Sequence, residues 1–392
     1  MRSLFQAALL AGLMVWSWPL AAQQDHSCSN FQIVVGSPAD NLMLAVNGTD
    51  DPNAKVAALE KFTQEQKSST YLHCAEQLLT KSYLKLKQYD QAIAAGQKAV
   101  AAGYLDPSFL EDLLQAYMAS GKAGSEAFAV IMKAPAPIKA ELAVTRSTTE
   151  SDAQYEAAKK AAAQRAQGDT DYMVYAFFRL LPAVTDANQA VKVLDQFSQA
   201  YPEAAKKQAG QLNYRYAVAY TQINQVAKAD EYAEKAIAAD PNNIEALNLV
   251  AFDYALRRRT NEAKAAEYAK KVLTLLPTRK KAEGVADEAF KAQQDTQEGM
   301  AHLTLGFLDL QRTGASHHTA GAIKELKQAS ELLSAIPGLQ GEAYYFLGYS
   351  YEADYPPQHR LAMAALEQTI KIQNPMQDQA RALLAKIRSV AH

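Results

Sequence analysis

Apolar residues in this 392-residue chain come in helix-length blocks, parted by prolines, glycines and Asp-Pro steps that stop one helix and start the next. The clearest pair of blocks spans residues 211–241. It carries Tyr220, then the small residues Ala229 and Ala236, and closes at Asp240-Pro241. Tyr254 follows Tyr220 by 34 residues, and upstream Tyr117 follows Tyr83 by the same 34. Ala190 precedes Pro202 by 12 residues, as Ala229 precedes Pro241. A fixed period of this length predicts stacked helix-turn-helix units, with small residues where the two helices of a unit cross closely.

In chain order, residues 31–35 are a short apolar stretch ending in Gly36-Ser37-Pro38, an extended lead-in. Residues 37–68 predict a first hairpin, stopped midway at Asn47-Gly48, restarted at Asp51-Pro52, with Ala58 and Phe62 in its second helix. Leu79, Tyr83, Tyr89, Ala92 and Ala99 mark the second hairpin. Asp106-Pro107, Leu110, Leu113 and Tyr117 open a third, whose second helix at 125–132 is short. The composition changes at 133–152, which predicts an irregular joint holding one weak helix. Separate helices are expected at 153–166 and 172–181, then Ala190, Leu194 and Pro202. The unit at 244–277 has an enlarged turn at Arg257-Arg258-Arg259, and either Ala263 or Ala265 is its crossing residue. A helix at 280–293 precedes another holding Leu303, Leu305 and Gly306, with Asp309 where a tyrosine is expected, which puts the packing there in doubt. After a polar turn at 313–319 come Ala322, Leu326 and Ala329. A last unit has a stretched turn through Tyr355-Pro356-Pro357, then Ala362 and Leu366, and residues 376–390 predict a terminal helix with a polar outer face.

Tyr344, Leu347, Gly348 and Tyr351 stand where a tetratricopeptide repeat has an aromatic, Leu-Gly and Tyr. From about residue 37 to its end the chain resembles the tetratricopeptide-repeat family. The resemblance implies an all-α, right-handed α-solenoid in three sub-arrays, at 37–135, 153–277 and 278–392, with 136–152 as the joint. In such arrays the first helix of each hairpin lines a concave face. Carried over, that places Tyr214, Val218, Asn248, Phe252, Leu303, Phe307, Tyr345 and Tyr349 along the inner surface, with Gln211, Glu245, Glu342 and Glu352 at its margins. Either this stripe is an open groove for a peptide segment, or neighbouring coils cover part of it. Some family members grip a carboxyl terminus with lysines and asparagines; here the matching sites are Tyr214 and Val218, or Gln77 and Lys81, so that clamp is not reproduced.

Composition supports helix: glycine (17) and proline (14) are sparse and β-branched runs nearly absent. A net charge of −2 excludes a basic nucleic-acid binder on bulk electrostatics. Residues 1–22 stand apart. Arg2 is their one charge, residues 4–20 are almost unbroken apolar, and Leu20-Ala21-Ala22 precedes Gln23-Gln24, the pattern of a secretory signal cut after Ala22. Left uncut, the same segment is a membrane anchor. Export makes a disulfide between the two cysteines, Cys28 and Cys74, the expectation over two free thiols, worth about 4 kcal/mol by loop closure.

Catalytic signatures are missing. The chain has no Gly-x-x-x-x-Gly-Lys phosphate loop, no Gly-x-Ser-x-Gly elbow, no His-Glu-x-x-His and no Cys-x-x-Cys. His317-His318 is too few ligands for a metal site, and His302 falls on an apolar helix face as a core histidine. Arg257, Arg258 and Arg259 with Arg279, Lys280 and Lys281 form either a basic patch for an acidic partner or a solvated surface. The expectation is a non-enzymatic scaffold or assembly factor outside the cytoplasm, periplasmic or secreted, without cofactor or metal, that binds a partner protein segment in its groove. The alternatives are a helical module for a small molecule or glycan and, more remotely, a cell-envelope enzyme.

Overall fold

Helices form in most of the predicted blocks, and no strand occurs among the described residues. The computed structural model describes residues 35–69, 71–122, 124–281, 285–313 and 319–390. The signal-like segment, most of the apolar lead-in and His317-His318 lie outside them. The described chain divides into two units, residues 35–205 and 206–390.

The N-terminal unit begins with helix α1 (Pro38–Asn47), which Ser37 caps by accepting from the Asp40 N–H, and α2 (Pro52–Glu65), capped by the Asp51 carboxylate. Helices α3 (Leu72–Lys85), α4 (Tyr89–Ala101) and α5 (Pro107–Ser120) follow, each packed on the one before. Leu59, Phe62, Leu79 and Ala92 fill the seams, all buried. The repeated tyrosines span from one unit to the previous one. The Tyr83 hydroxyl donates to Glu60 of α2 at 2.5 Å, and the Tyr117 hydroxyl accepts from Gln97 of α4 at 2.6 Å. A tyrosine buried to its ring needs such a partner for its hydroxyl, and the repeat supplies one each time.

Beyond α5 the regular order stops. Short helices α6 (Ser125–Lys133) and α7 (Pro135–Ala140) are followed by a turn to Ser151, in the stretch expected to be irregular. The two helices expected at 153–166 and 172–181 are one, α8 (Asp152–Leu180), 29 residues long. Ser151 and Gln154 form a capping box at its start. Gly168 is the only breaker within it and costs only about 1 kcal/mol, less than the burial of Met173, Ala176 and Phe177 beyond it returns. Helices α5 and α6 both pack on α8, and α6 also on α9 (Ala187–Ala200). Phe177 stacks on Phe197 at 3.9 Å, edge-on to Phe128 at 5.8 Å, and the Tyr201 hydroxyl donates to the Ile131 carbonyl at 2.6 Å. This aromatic cluster has no counterpart in the 34-residue pattern.

The α5–α8 contact also gathers carboxylates. Glu111 of α5, Glu141 just after α7 and Asp169 of α8, only 3 % exposed, lie together with Asp106 and Asp112 nearby. Burial, then the neighbouring carboxylates, push Glu111 up to about 8, and burial raises Asp169 to about 6. Of the two, Glu111 keeps its proton to the higher pH.

Helix α10 (Pro202–Lys207) carries the chain into the second unit. There α11 (Ala209–Gln222), α12 (Val226–Ala239), α13 (Ile244–Phe252), α14 (Glu262–Leu275), α15 (Asp287–Thr313), α16 (Ala320–Leu332), α17 (Pro337–Ala353), α18 (His359–Lys371) and α19 (Gln377–Val390) pack neighbour on neighbour. The first helices α13, α15 and α17 also touch one another, so the hairpins stack in a row. Where α15 crosses α16, a Cβ on Gly306 would stand 2.6 Å from Leu326 Cγ; where α17 crosses α18, one on Gly348 would stand 2.8 Å from Leu366 Cγ. Ala265, not Ala263, is the buried crossing residue of the α13–α14 hairpin. Of the helix expected at 280–293, residues 280, 281, 285 and 286 are not helical, and the rest is not separate but begins α15, 27 residues long, since no proline interrupts it. Asp309 pairs with Arg312 at 2.5 Å, and its carboxylate packs over Gly321, where any side chain would collide with it. Helix α19 buries Ala380, Leu384 and Ile387 and leaves its charged residues outside, as a capping helix should.

Gly306→Ala should cost about 1–3 kcal/mol by overpacking the crossing, whereas Gly168→Ala, with nothing within 4 Å of its added Cβ, should stabilise by up to about 1 kcal/mol; urea midpoints measure both. The carboxylate cluster predicts a pH dependence of definite sign. Its acids have raised folded pKa values, so its contribution is complete below the unfolded carboxylate values and is lost as pH climbs through 6 to 8. The melting temperature of the N-terminal unit should fall over that range, and Glu111→Gln with Asp169→Asn should flatten the profile.

Candidate binding face

The eight residues expected along an inner surface lie on α11, α13, α15 and α17, and the structure divides them sharply. Val218, Asn248, Phe252, Leu303 and Phe307 are buried in the stack. They are core, because the first helices of successive hairpins approach closely enough to cover them. Of the expected open stripe, Tyr214 and Tyr345 are half-buried and only Tyr349, 46 % exposed, is open to solvent. Tyr345 packs against the apolar cluster of α18 and α19.

What remains accessible is a face with two ends. The aromatic end lies on α17, where Glu342, Tyr345, Phe346 and Tyr349 fall at helical spacing on one side. Phe346 packs edge-on to Phe307 at 4.9 Å and to Tyr345 at 5.4 Å. Two arginines reach over from the α13–α14 turn. Arg257 lies 5.2 Å from the Phe252 ring and Arg259 5.8 Å from the Phe307 ring, so cations cap the buried aromatics. Burial pushes Glu342 up to about 7, against the pull of Arg257. The turn that delivers these arginines is wider than α: residues Asp253–Arg257 form a π-helical turn, and Arg259 and Asn261 take positive φ (52° and 49°). Such a widened turn re-aims side chains that a straight helix would point elsewhere.

The polar end is built by α11, α13, the strap after α14, and α15. Arg279 donates to Glu245 at 2.7 Å, and Gln293 donates to the same carboxylate oxygen at 3.1 Å. Asn248, 1 % exposed, donates to the Gln297 side chain at 2.6 Å and to its backbone carbonyl at 2.9 Å. Tyr214 and Arg215 complete the group beside Glu245. Arg215, Gln293 and Gln297 were not expected from the sequence. Gln293 and Gln297 are four apart on one helix face, but uncharged polar residues at that spacing do not stand out from a solvated surface.

The six basic residues do not form one patch. Arg258 pairs with Asp230, Arg279 with Glu245 and Lys281 with Asp287, while Lys280 is exposed. Those three cations meet carboxylates on other helices or turns, pairings that residue order does not disclose. Elsewhere, Glu234 accepts from Tyr254 at 3.0 Å, Lys264 at 2.6 Å and Tyr268 at 3.2 Å beside a shallow hollow. This carboxylate is fully engaged in joining α12 to the next hairpin. His302 is buried with Glu325 2.6 Å from its Nδ1, as a core histidine. No group of three His, Cys, Asp or Glu side chains that would hold a metal occurs among the described residues. Cys74 is buried and is not a free thiol; Cys28 lies outside the described residues. No described helix is long and apolar enough to cross a membrane. No family model matches the chain, and no curated protein matches it.

Burial separates the two ion pairs of this strap in strength. Arg279→Met strands Glu245, whose side chain is 19 % exposed, and should cost about 2 kcal/mol. Lys281→Met releases an Asp287 that is 85 % exposed and should cost under about 0.5 kcal/mol. Urea titration of the two variants measures the difference.

Proposed function

We propose that this chain is an exported, non-enzymatic scaffold of the tetratricopeptide-repeat type, a right-handed solenoid that binds a segment of a partner protein along the face of α11, α13, α15 and α17. The reading rests on the 34-residue tyrosine period, the small-residue crossings and the row of stacked hairpins. The observation that carries the binding role is the α17 stripe. Tyr349 holds a large ring in solvent beside the half-buried Tyr345 and Phe346, and the charged Glu342 and Arg257 border it. Solvent-held aromatics in a charged frame are what a partner segment buries on docking, supplying affinity while the frame fixes direction. Residues 1–22 direct export, with a cut after Ala22, and Cys74 then pairs with Cys28, the one other cysteine. The protein acts outside the cytoplasm as an assembly or interaction factor; it stays at the membrane only if the leader is retained.

Affinity capture from the cell envelope, with mass spectrometry of what is retained, tests this. The double variant Tyr345→Ala, Tyr349→Ala should lose the retained partners while its helical circular dichroism is unchanged. Identical partner sets for wild type and variant would sink the proposal. Phe252, buried at 3 %, is unsuited to this test because truncating it would open a core cavity. N-terminal sequencing of the exported form should begin at Gln23.

A further inference from the structure

The polar end of the face has an imbalance of charge. Arg215 and Arg279 bring two guanidinium groups beside a single carboxylate, Glu245. Glu245 is already engaged, by Arg279 at 2.7 Å and by Gln293 at 3.1 Å. Arg215 is half-buried, its guanidinium 6.0 Å from the Tyr214 ring, and its buried Nε has no hydrogen-bond partner. Burial pushes the Arg215 pKa down, more than Tyr214 and Glu245 raise it. One turn along α13 from Glu245, the Oδ1 of Asn248 is buried and without a donor. A partly desolvated cation that shares its one counter-charge with a second guanidinium is costly to keep, far more so than a solvated surface arginine. A hydrophobic residue of similar length would fold more stably there. Such an expense is intelligible where a ligand supplies the missing charge.

We infer that the polar end receives an acidic side chain of the partner segment, its carboxylate taking the Arg215 guanidinium. This rests on the proposal that the face binds a protein segment, and adds the chemistry of that segment at one point. Glu245, whose Oε1 accepts from both Arg279 and Gln293, repels a second carboxylate from the Arg279 side and leaves Arg215 as the receptor.

The test uses the full chain and end-blocked ten-residue peptides, each made with Asp and Glu and again with Asn and Gln in their place, so that no terminal carboxylate is present. Fluorescence anisotropy reads affinity. The acidic version of a binding peptide should bind about tenfold or more tightly than its amide twin, and added salt should shrink the ratio. Arg215→Met should abolish the preference and raise the melting temperature; Arg215→Gln serves as a second variant should the first not fold. Tyr349→Ala should weaken both versions alike. Equal affinity of the twins, or a preference that survives both Arg215 variants, overturns the inference and leaves the binding face standing. If no peptide binds, the face and the inference fall together. If acetate displaces the acidic peptide at matched concentration, the site belongs to a small anion and the inference fails.

Discussion

Close crossing of paired helices is the constraint on which the C-terminal unit depends. At Gly306 over Leu326 and Gly348 over Leu366 the backbone of one helix rests against a leucine of its partner, closer than any Cβ permits. At Ala265, Ala322 and Ala362 the same economy is reached with a methyl group. Bringing helix axes together in this way lets leucines interdigitate at solid-like density and removes the core from water without a globular centre. Each hairpin then presents a second apolar side to the next, so the core extends by addition.

Polar bonds fix the register of that stack more than they stabilise it. Tyr83, Tyr117 and Tyr254 each carry a hydroxyl into a half-buried position and meet Glu60, Gln97 or Glu234 of the helix before. A slip of one residue would leave those hydroxyls unpaired, at about 1–3 kcal/mol each. Where the period fails, around α6 to α8, the fold substitutes an aromatic cluster and a proton-sharing set of carboxylates for the repeated contact. The two solutions differ in their response to pH, since only the second contains groups that titrate near neutrality.

The accessible face of the first helices is a by-product of the same packing. First helices stacked side by side bury most of their facing residues, so an inner surface survives only at the rim of that contact: Tyr349, Tyr345 and Glu342 on α17, Arg257 at the end of a π-helical turn and Arg259 just beyond it, Tyr214 and Arg215 on α11.

The residues alone settle the helical class, the spacing of the regular hairpins and all but one of the crossing positions named from them, because a small residue every 34 or so positions and a proline stop leave little else for the chain to do. They also place the terminal helix and the enlarged arginine turn. Tertiary structure alone decides three things. It fuses 153–166 with 172–181 and the helical part of 280–293 with its successor, since a lone glycine or a polar stretch breaks a helix only when packing beyond it is weak. It buries Val218, Asn248, Phe252, Leu303 and Phe307, because burial depends on how near the next hairpin lies and not on which helix face a residue occupies. And it disperses the basic residues into separate ion pairs while leaving Arg215 unmatched, since charge balance at a point in space is summed over helices distant in the sequence.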